Sequence, residues 1–314
     1  MKSILVVLGH IMLIVSLHAA TNEAQEFIKP YPRGYNASGH GEYDYDEDSG
    51  RGPSEWGNLK PEWALCKKGK MQSPVDLTNV TVKLVSDSDV VYAEYQPSFT
   101  TLLNRGHDVA LEWKGDAGSI EINGVEYRLQ QVHWHAPSEH TIRGKRYELE
   151  RHAVHVNSDT NEIAVISVLY KIGRNDPFLF KLRRYLKTMV ETNVNETFPG
   201  IINPSDTTCH DDESFYRYTG SLTTPPCSEG VIWTVQRKIR TVSRRQVDLL
   251  LNVVHGAFNL YLYDCNLMQN ENARPLQAVN KREMFLYVSC KGTGWDLILN
   301  PLQYIQRKLF YSSG

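Results

Sequence analysis

Two neighbouring stretches of the chain, LQQVHWHAPSEH (129–140) and YELERHAVHVN (147–157), contain five of its eleven histidines. In an extended strand, side chains two residues apart point to the same face. His133 and His135 therefore share one face of the first stretch, and His152 lies on one face of the second. If the two stretches pair as neighbouring strands, the three imidazoles converge. Three histidine nitrogens with a fourth position left to water form the protein half of a catalytic zinc site.

The alternative interpretation of an H-x-H pair is two polar residues on a solvated strand face. Imidazoles that bind a metal usually donate their other N–H to a nearby acceptor. Gln131 and Glu150 stand two residues before histidines and are suited to that role. The same parity turns Val154 toward the cluster and turns Arg151 and His155 away from it. These neighbours favour the metal site.

Composition places the chain among ordinary globular proteins. It has 314 residues, of which 41% are hydrophobic and 22% charged, enough for one large domain or two smaller ones. The formal net charge is −2 and the pI is about 6.6. Neither value gives a reason to expect nucleic acid or an anionic membrane as a partner.

Residues 1–20, MKSILVVLGHIMLIVSLHAA, have the pattern of a secretory signal peptide: a lysine, an apolar run and then small residues. A membrane anchor is the weaker alternative, because the run is short for a spanning helix and His10 interrupts it. No later segment is apolar enough to span a membrane. We expect the protein to be secreted, or to reach a plastid through the secretory pathway.

Two further features are typical of the secretory pathway. The tripeptides NAS, NVT and NET are glycan acceptor patterns at Asn36, Asn79 and Asn195. There are also five cysteines, and an oxidising compartment predicts at least one disulfide and one thiol left over. The sequence alone leaves the pairing open among Cys66, Cys209, Cys227, Cys265 and Cys290.

Short β-rich runs separated by turn signals dominate residues 43–288, and helical spacing appears at 176–191 and 242–255. No repeat and no regular alternation of strand and helix is present. We therefore predict a mainly β (α+β) fold, a single domain on a large, twisted, mostly antiparallel sheet with a few peripheral helices. Residues 21–42 form an irregular N-terminal segment, and residues 289–314 form a tail of unknown role.

Six motifs in order between Tyr45 and Tyr287 resemble the α-type carbonic anhydrases, with most similarity to the plant members. They are GPSEWGNLKPEWALC, KMQSPVDL, NRGHDV, QVHWHAPSEHTIRGKRYELERHAVH, YRYTGSLTTPPCSEGVIWTV and NARPLQ. The resemblance implies that His133, His135 and His152 bind Zn²⁺. It also implies that Gln131 and Glu150 support these ligands, and that Asn272 holds a ligand histidine through its backbone.

The implied reaction is the reversible hydration of carbon dioxide to bicarbonate and a proton by a zinc-bound hydroxide. By the resemblance, Thr223 of SLTTPP orients the hydroxide and passes its own proton to Glu139. Alone, SLTTPP is also typical of a turn stiffened by proline. His107 of NRGHDV matches the proton-shuttle position, and Tyr45 is a candidate for ordering solvent beside it.

The resemblance also implies a binding wall for carbon dioxide and a disulfide. The wall residues are Val154, Val165, Leu222, Thr223, Thr224, Val231 and Trp233. The disulfide joins Cys66 to Cys227 and would brace the SLTTPP loop.

The chain departs from the family pattern at Arg151, where an apolar residue is common, in a long segment at 256–271, and in the tail. The alternative function is a secreted storage or binding protein on the same scaffold, although storage relatives lose zinc ligands and this chain keeps all three. Ester hydrolysis would be a side reaction of the same site. A nucleobase deaminase is excluded, because PPCSEG lacks the second cysteine of its ligand motif. Monomer and dimer both remain open.

Overall fold

A mixed sheet of 13 strands organises the part of the chain that this computed structural model describes, namely residues 41–84, 91–207, 214–255 and 271–288. All of these residues belong to one compact unit. Several predictions concern residues outside these ranges: the signal peptide, Asn36, the tail 289–314, and the cysteines Cys209, Cys265 and Cys290.

Fifteen strands are described, numbered in chain order. They are β1 (Thr81–Leu84), β2 (Tyr92–Tyr95), β3 (Ser98–Asn104), β4 (Val109–Trp113), β5 (Gly118–Ile122), β6 (Val125–His135), β7 (Thr141–Ile142), β8 (Lys145–Arg146), β9 (Leu149–Val156), β10 (Ile163–Ile172), β11 (Glu196–Ile202), β12 (Phe215–Ser221), β13 (Glu229–Gln236), β14 (Arg240–Val242) and β15 (Phe285–Val288).

The main sheet has the order β1-β15-β12-β13-β10-β9-β6-β4-β3-β11, with β14 beside β10, and β5 between β6 and β2. Strands β7 and β8 form a separate pair. Three described pairs are parallel, β1 with β15 and β10 with both β13 and β14, and the others are antiparallel. The predicted mainly β fold on a large, mostly antiparallel sheet is confirmed.

Four α-helices are described: α1 (Trp56–Leu59), α2 (Leu65–Lys68), α3 (Pro177–Thr192) and α4 (Arg244–His255). Both helices predicted from sequence are present. Helix α3 begins after Asp176, whose side chain accepts a hydrogen bond from the Leu179 N–H, a standard N-terminal cap. It ends where Asn193 adopts a left-handed φ of 54°. No helix in the described ranges is long and apolar enough to cross a membrane.

The two long helices cover one face of the sheet. Residues of β9 such as Leu149 and Ala153 pack with Leu182 of α3 and Leu250 of α4 in one buried cluster. Residues of opposite parity, such as Val154, pack in a second cluster on the other face. Successive residues of β9 therefore alternate between a helix-covered face and the face that carries His152.

The predicted disulfide between Cys66 and Cys227 is present. It joins α2 to the loop that follows β12 and contains Thr223. Cys227 is fully buried in a small cluster with Trp56 and Trp63. The bridge thus ties the functional loop to the N-terminal part of the domain.

Arg151 is a buried cation on the helix-covered face, as its strand parity predicts. The residue is 2% exposed, and its Nε and Nη1 atoms have no hydrogen-bond partner within the described ranges. It lies across from Trp134 on β6 and Val168 on β10. Arg274, equally buried, instead donates to the oxygens of Gln72, Ser73 and Cys66. Burying a charge without a partner costs several kcal/mol.

Replacing Arg151 with leucine should therefore stabilise the protein. We expect Arg151→Leu to raise the free energy of unfolding by about 1–4 kcal/mol, the range seen when buried charges give way to apolar side chains. Urea unfolding with zinc present measures the change. Arg128→Leu, at a half-exposed site, is the control and should shift stability by less than about 0.5 kcal/mol. A less stable Arg151→Leu protein would show that Arg151 has a stabilising partner.

Candidate metal centre

The pairing of β6 with β9 brings three histidines to one point. In this antiparallel register His133 lies opposite His152, and His135 lies opposite Glu150. The ring centroids are 4.7–5.1 Å apart. His133 Nε2 is 3.3 Å from His152 Nδ1. Two nitrogens bound tetrahedrally to one zinc ion at about 2.0–2.1 Å lie about 3.3–3.4 Å apart, so this spacing fits zinc.

The second nitrogen of each ring is held by a hydrogen bond that fixes the tautomer. His135 Nδ1 donates to the Asn272 carbonyl oxygen at 2.7 Å. His133 Nδ1 is 2.9 Å from Gln131 Oε1, and His152 Nε2 is 2.8 Å from Glu150 Oε1. Carbonyl, amide and carboxylate oxygens can only accept. Each ring therefore turns a lone pair toward the common point, from His133 Nε2, His135 Nε2 and His152 Nδ1.

Burial favours the neutral, metal-binding form of two of the rings, His133 and His152. Burial lowers the pKa of His133 well below its ordinary value, with the neighbouring histidines adding to the effect. Burial also lowers the pKa of His152, although the Glu150 carboxylate opposes the shift. At pH 7 neither ring carries a proton that a metal would have to displace.

Two buried polar atoms at this point have no hydrogen-bond partner in the part of the chain that the structure describes: His135 Nε2 and Glu139 Oε2. They are 3.6 Å apart, and Glu139 Oε2 is also 4.0 Å from His152 Nδ1. Unpaired buried polar atoms are rare, and several in one place indicate an ion or a bound molecule. Three imidazole nitrogens with a carboxylate oxygen nearby fit a zinc ion that keeps one position for water.

A second group of possible ligands, His140, Glu150 and His152, lies next to the first. There the carboxylate is already saturated. Glu150 Oε1 accepts from His140 Nδ1, His152 Nε2 and the Ser167 hydroxyl, and Oε2 accepts from two backbone N–H groups. Burial alone would raise the pKa of Glu150, but His140 and His152 hold it well below its usual range. This group supports the metal centre and does not form another.

His140 is a functional residue that the sequence analysis missed. Its ring is buried and joins Glu150 to the Tyr218 hydroxyl, which lies 2.6 Å from His140 Nε2. The Tyr218 hydroxyl is 2.8 Å from Ser73 Oγ. A hydrogen-bond chain therefore runs from His152 through Glu150, His140 and Tyr218 to Ser73. His140 lies in the loop between β6 and β7. The alternation of a strand therefore does not predict the direction of its side chain, and only its nearness in sequence to the other histidines indicates a role.

Glu139 and Thr223 are both buried, and Glu139 lies beside the histidines. Glu139 Oε1 accepts a hydrogen bond from the Arg274 N–H at 2.9 Å, which fixes the carboxylate. Glu139 Oε2 points at the histidine nitrogens instead of at a partner. Thr223 is 5% exposed, and no hydrogen bond between its hydroxyl and Glu139 is present among the described residues.

The residues expected to line a carbon dioxide site are brought together. Val154, Val165, Val231 and Trp233 are buried in one cluster, and Leu222 packs against it. The Trp233 ring lies 4.8 Å from the His152 ring, centroid to centroid. Thr224 is half-buried on the same loop as Thr223. The metal centre thus has an apolar wall on one side.

His107 lies at the end of the loop before β4 and is tied to the metal centre. Its carbonyl oxygen accepts from Asn272 Nδ2, and Asn272 also holds His135. The side chain is 22% exposed and lies 3.7 Å from an oxygen of Asp108. The Tyr43 ring packs against it at 5.0 Å, centroid to centroid. Tyr45 is half-buried nearby, and its buried hydroxyl has no hydrogen-bond partner among the described residues. Burial lowers the pKa of His107 to about 4, and Asp108 opposes the shift.

Replacing one of the converging histidines should remove the metal. We expect His152→Ala to weaken zinc binding by more than about 100-fold. Mutating a residue that only hydrogen-bonds to a metal ligand already lowers metal affinity by about 10–100-fold. Elemental analysis after dialysis against metal-free buffer measures zinc per chain.

The matched control is His155→Ala on the same strand. His155 is buried on the other face and bonds to the Tyr95 hydroxyl. That variant should keep about one zinc per chain, as the tetrahedral site requires. Equal zinc retention by both variants would contradict the ligand assignment.

Comparison with known proteins agrees with this geometry. The model of the eukaryotic-type carbonic anhydrase family matches residues 51–288. Alpha carbonic anhydrase 7 of Arabidopsis thaliana is 48% identical over 257 residues, which cover 80% of this chain and 89% of the relative. A crystal structure of dioscorin complexed with ascorbate matches with a TM-score of 0.72 and 40% identity, covering 80% of this chain and 99% of that one. A hyperthermostable carbonic anhydrase identified from an active hydrothermal vent chimney matches with a TM-score of 0.65 and 31% identity, covering 78% and 100%. The chain belongs to the eukaryotic-type, or alpha, carbonic anhydrase family.

Proposed function

We propose that the protein catalyses the reversible hydration of carbon dioxide to bicarbonate and a proton, with zinc held by His133, His135 and His152. The observation that carries this proposal is the convergence of three imidazole lone pairs on one buried point. In carbonic anhydrases, a zinc ion lowers the pKa of a bound water far below that of bulk water, to about 7, which supplies hydroxide in neutral solution. Neutral imidazoles suit this task because they leave the positive charge of the ion undiminished.

Glu139 and Thr223 are proposed to orient the attacking oxygen. The Glu139 carboxylate can only accept, and its Oε2 atom has no hydrogen-bond partner among the residues described. If the Thr223 hydroxyl donates to that oxygen, its own lone pairs are left to accept a proton from the attacking group. Because the carboxylate cannot donate, the Thr223 hydroxyl must donate to Glu139 and accept from the attacking group. Since no hydrogen bond between Thr223 and Glu139 is present among the described residues, we expect the Thr223 side chain to rotate when zinc and water occupy the site.

Carbon dioxide is small and apolar, so its binding site should be an apolar surface beside the reacting oxygen. Val154, Val165, Val231 and Trp233 supply that surface, with Leu222 at its edge. Thr224 is proposed to contact the polar product. The same residues exclude water from the reacting centre.

His107 is proposed to relay protons between the site and buffer. Its partial exposure and its link through Asn272 favour the role. Its pKa of about 4 does not, because accepting a proton from a group with a pKa near 7 is uphill by about 4 kcal/mol at 1.36 kcal/mol for each pKa unit. We therefore expect a modest contribution, smaller than the 100-fold or more of a well-matched group.

A storage or binding protein on the same scaffold is the alternative, and the likeness to dioscorin supports it. The complete set of three histidines, each with its other ring nitrogen held by a hydrogen bond, favours the enzyme. We also propose that the protein is exported and glycosylated. The side chains of Asn79 and Asn195 are exposed, as a glycan requires.

The test of the proposed activity is carbon dioxide hydration by the purified protein, before and after zinc is removed with a chelator and then restored. We expect activity to disappear and return with the metal. In the same assay, Glu139→Gln should keep its zinc but lower kcat by about 100-fold or more, because the amide reverses one hydrogen bond in the reacting centre. Full zinc with no hydration by the native protein would favour the storage alternative.

For the proton relay, we expect His107→Ala to slow turnover in weakly buffered solution by less than about 100-fold. Added imidazole should restore the rate, because it replaces the missing ring as proton carrier. Stopped-flow assays across buffer concentrations separate this effect from a loss of the catalytic site. A slower variant that no buffer rescues would remove His107 from the relay.

A further inference from the structure

Positive charge is concentrated on the two long helices and the segments that precede them. Residues 171–190 and 237–255 hold 11 of the 34 lysines and arginines but only 2 of the 36 aspartates and glutamates. The net charge of the whole chain is −2, so the remaining segments carry an excess of acidic residues that offsets the positive charge of these two. A surface so unlike the rest of the chain in charge indicates a partner of opposite charge.

The charges meet because α3 and α4 begin side by side. Gln246 of α4 accepts from the Asp176 N–H and donates to the Asp176 carbonyl, both at 2.8 Å. The N-terminus of a helix carries a partial positive charge. Helix α4 has Arg244 and Arg245 in its first turn, where acidic residues are the stabilising choice. Both are exposed, as is Arg174 on the loop that leads into α3.

More cations continue along the exposed side of α3. Arg183, Arg184 and Lys187 are exposed, and Arg183 and Lys187 lie four residues apart on one side of the helix. Like charges at that spacing destabilise a helix by about 0.2–0.5 kcal/mol. Neither residue forms an ion pair with an acidic group in the described ranges, whereas Lys181 on the same helix pairs with Asp206. Helix stability therefore does not account for these cations.

We name Arg174, Arg183, Arg184, Lys187, Arg244 and Arg245 the basic helix face. It lies on the side of the sheet opposite the metal centre, because α3 and α4 pack against Leu149 and Ala153, whose parity is opposite to that of His152. A ligand bound there would leave access to the histidines unchanged.

We propose that the basic helix face binds an acidic polysaccharide, a polymer of uronic acids. Five of its six cations are arginines, whose planar forks match carboxylates. Helix α3 has 16 residues and is about 24 Å long, which suits a chain more than a small anion. Phe180, 59% exposed and one helical turn before Arg183 and Arg184, offers a flat apolar surface to the face of a sugar ring. The proposed secretory route favours a polysaccharide over nucleic acid.

The experiment measures binding of the zinc-loaded protein to polygalacturonate by titration calorimetry, with a neutral galactan, duplex DNA and anionic phospholipid vesicles in parallel. We expect binding to polygalacturonate that weakens by about tenfold or more between about 50 and 200 mM salt, as for other contacts between cationic side chains and a polyanion. The neutral polymer should not bind.

Charge reversal locates the surface. Arg183→Glu, Lys187→Glu, Arg244→Glu and Arg245→Glu combined should abolish polygalacturonate binding and leave carbon dioxide hydration unchanged. The control combines Lys68→Glu, Lys70→Glu, Lys145→Glu and Lys281→Glu, four exposed lysines outside the basic helix face, with the same change in net charge. It should retain most of the binding. Because all eight side chains are exposed, thermal melting should show both variants folded.

Three outcomes would overturn the proposal. The first is no binding to polygalacturonate at low salt. The second is an equal loss of binding in both variants, which would mean that net charge alone is responsible. The third is binding to DNA or to vesicles without binding to polygalacturonate, which would assign the surface to another class of partner.

Discussion

The register between β6 and β9 is the constraint on which the rest of the structure depends. It places His133 opposite His152 and His135 opposite Glu150. Because side chains alternate between faces, a slip of one residue would turn His152 and Glu150 into the helix-covered core and bring Arg151 to the site. The apolar residues of opposite parity, Leu149 and Ala153, oppose such a slip by packing under the helices. The hydrophobic pattern of one face thus determines the chemistry of the other.

The buried polar groups around the histidines are the second requirement. Glu150 accepts hydrogen bonds from three side chains and two backbone N–H groups, so its charge is compensated although it is fully buried. This network holds His152 in one tautomer. Asn272 does the same for His135 and also joins the segment after α4 to the loop of His107. Arg151, on the other face, differs from Glu150: two of its nitrogens are buried without a hydrogen-bond partner among the described residues.

Much of this could be predicted from the sequence because it depends on short-range periodicity. The alternation around His133 and His135 indicates a strand with one polar face, and Asp176-Pro177 marks the start of α3. His140 and its bond to Tyr218 escaped prediction, because a loop has no period and Tyr218 is 78 residues away. The bond between Asn272 and His135 and the disulfide of Cys66 with Cys227 join distant segments. They were predicted only through the family resemblance. The basic helix face could not be predicted from the net charge of the whole chain, because acidic residues elsewhere balance its cations.

Zinc coordination is the most direct test, because every proposed step depends on three imidazoles sharing one ion. X-ray absorption at the zinc edge of the purified protein reports the number, type and distance of the ligands. The structure predicts three imidazole nitrogens and one oxygen at about 2.0–2.1 Å. Sulfur scattering at about 2.3 Å, or fewer than three imidazoles in the first coordination sphere, would contradict it.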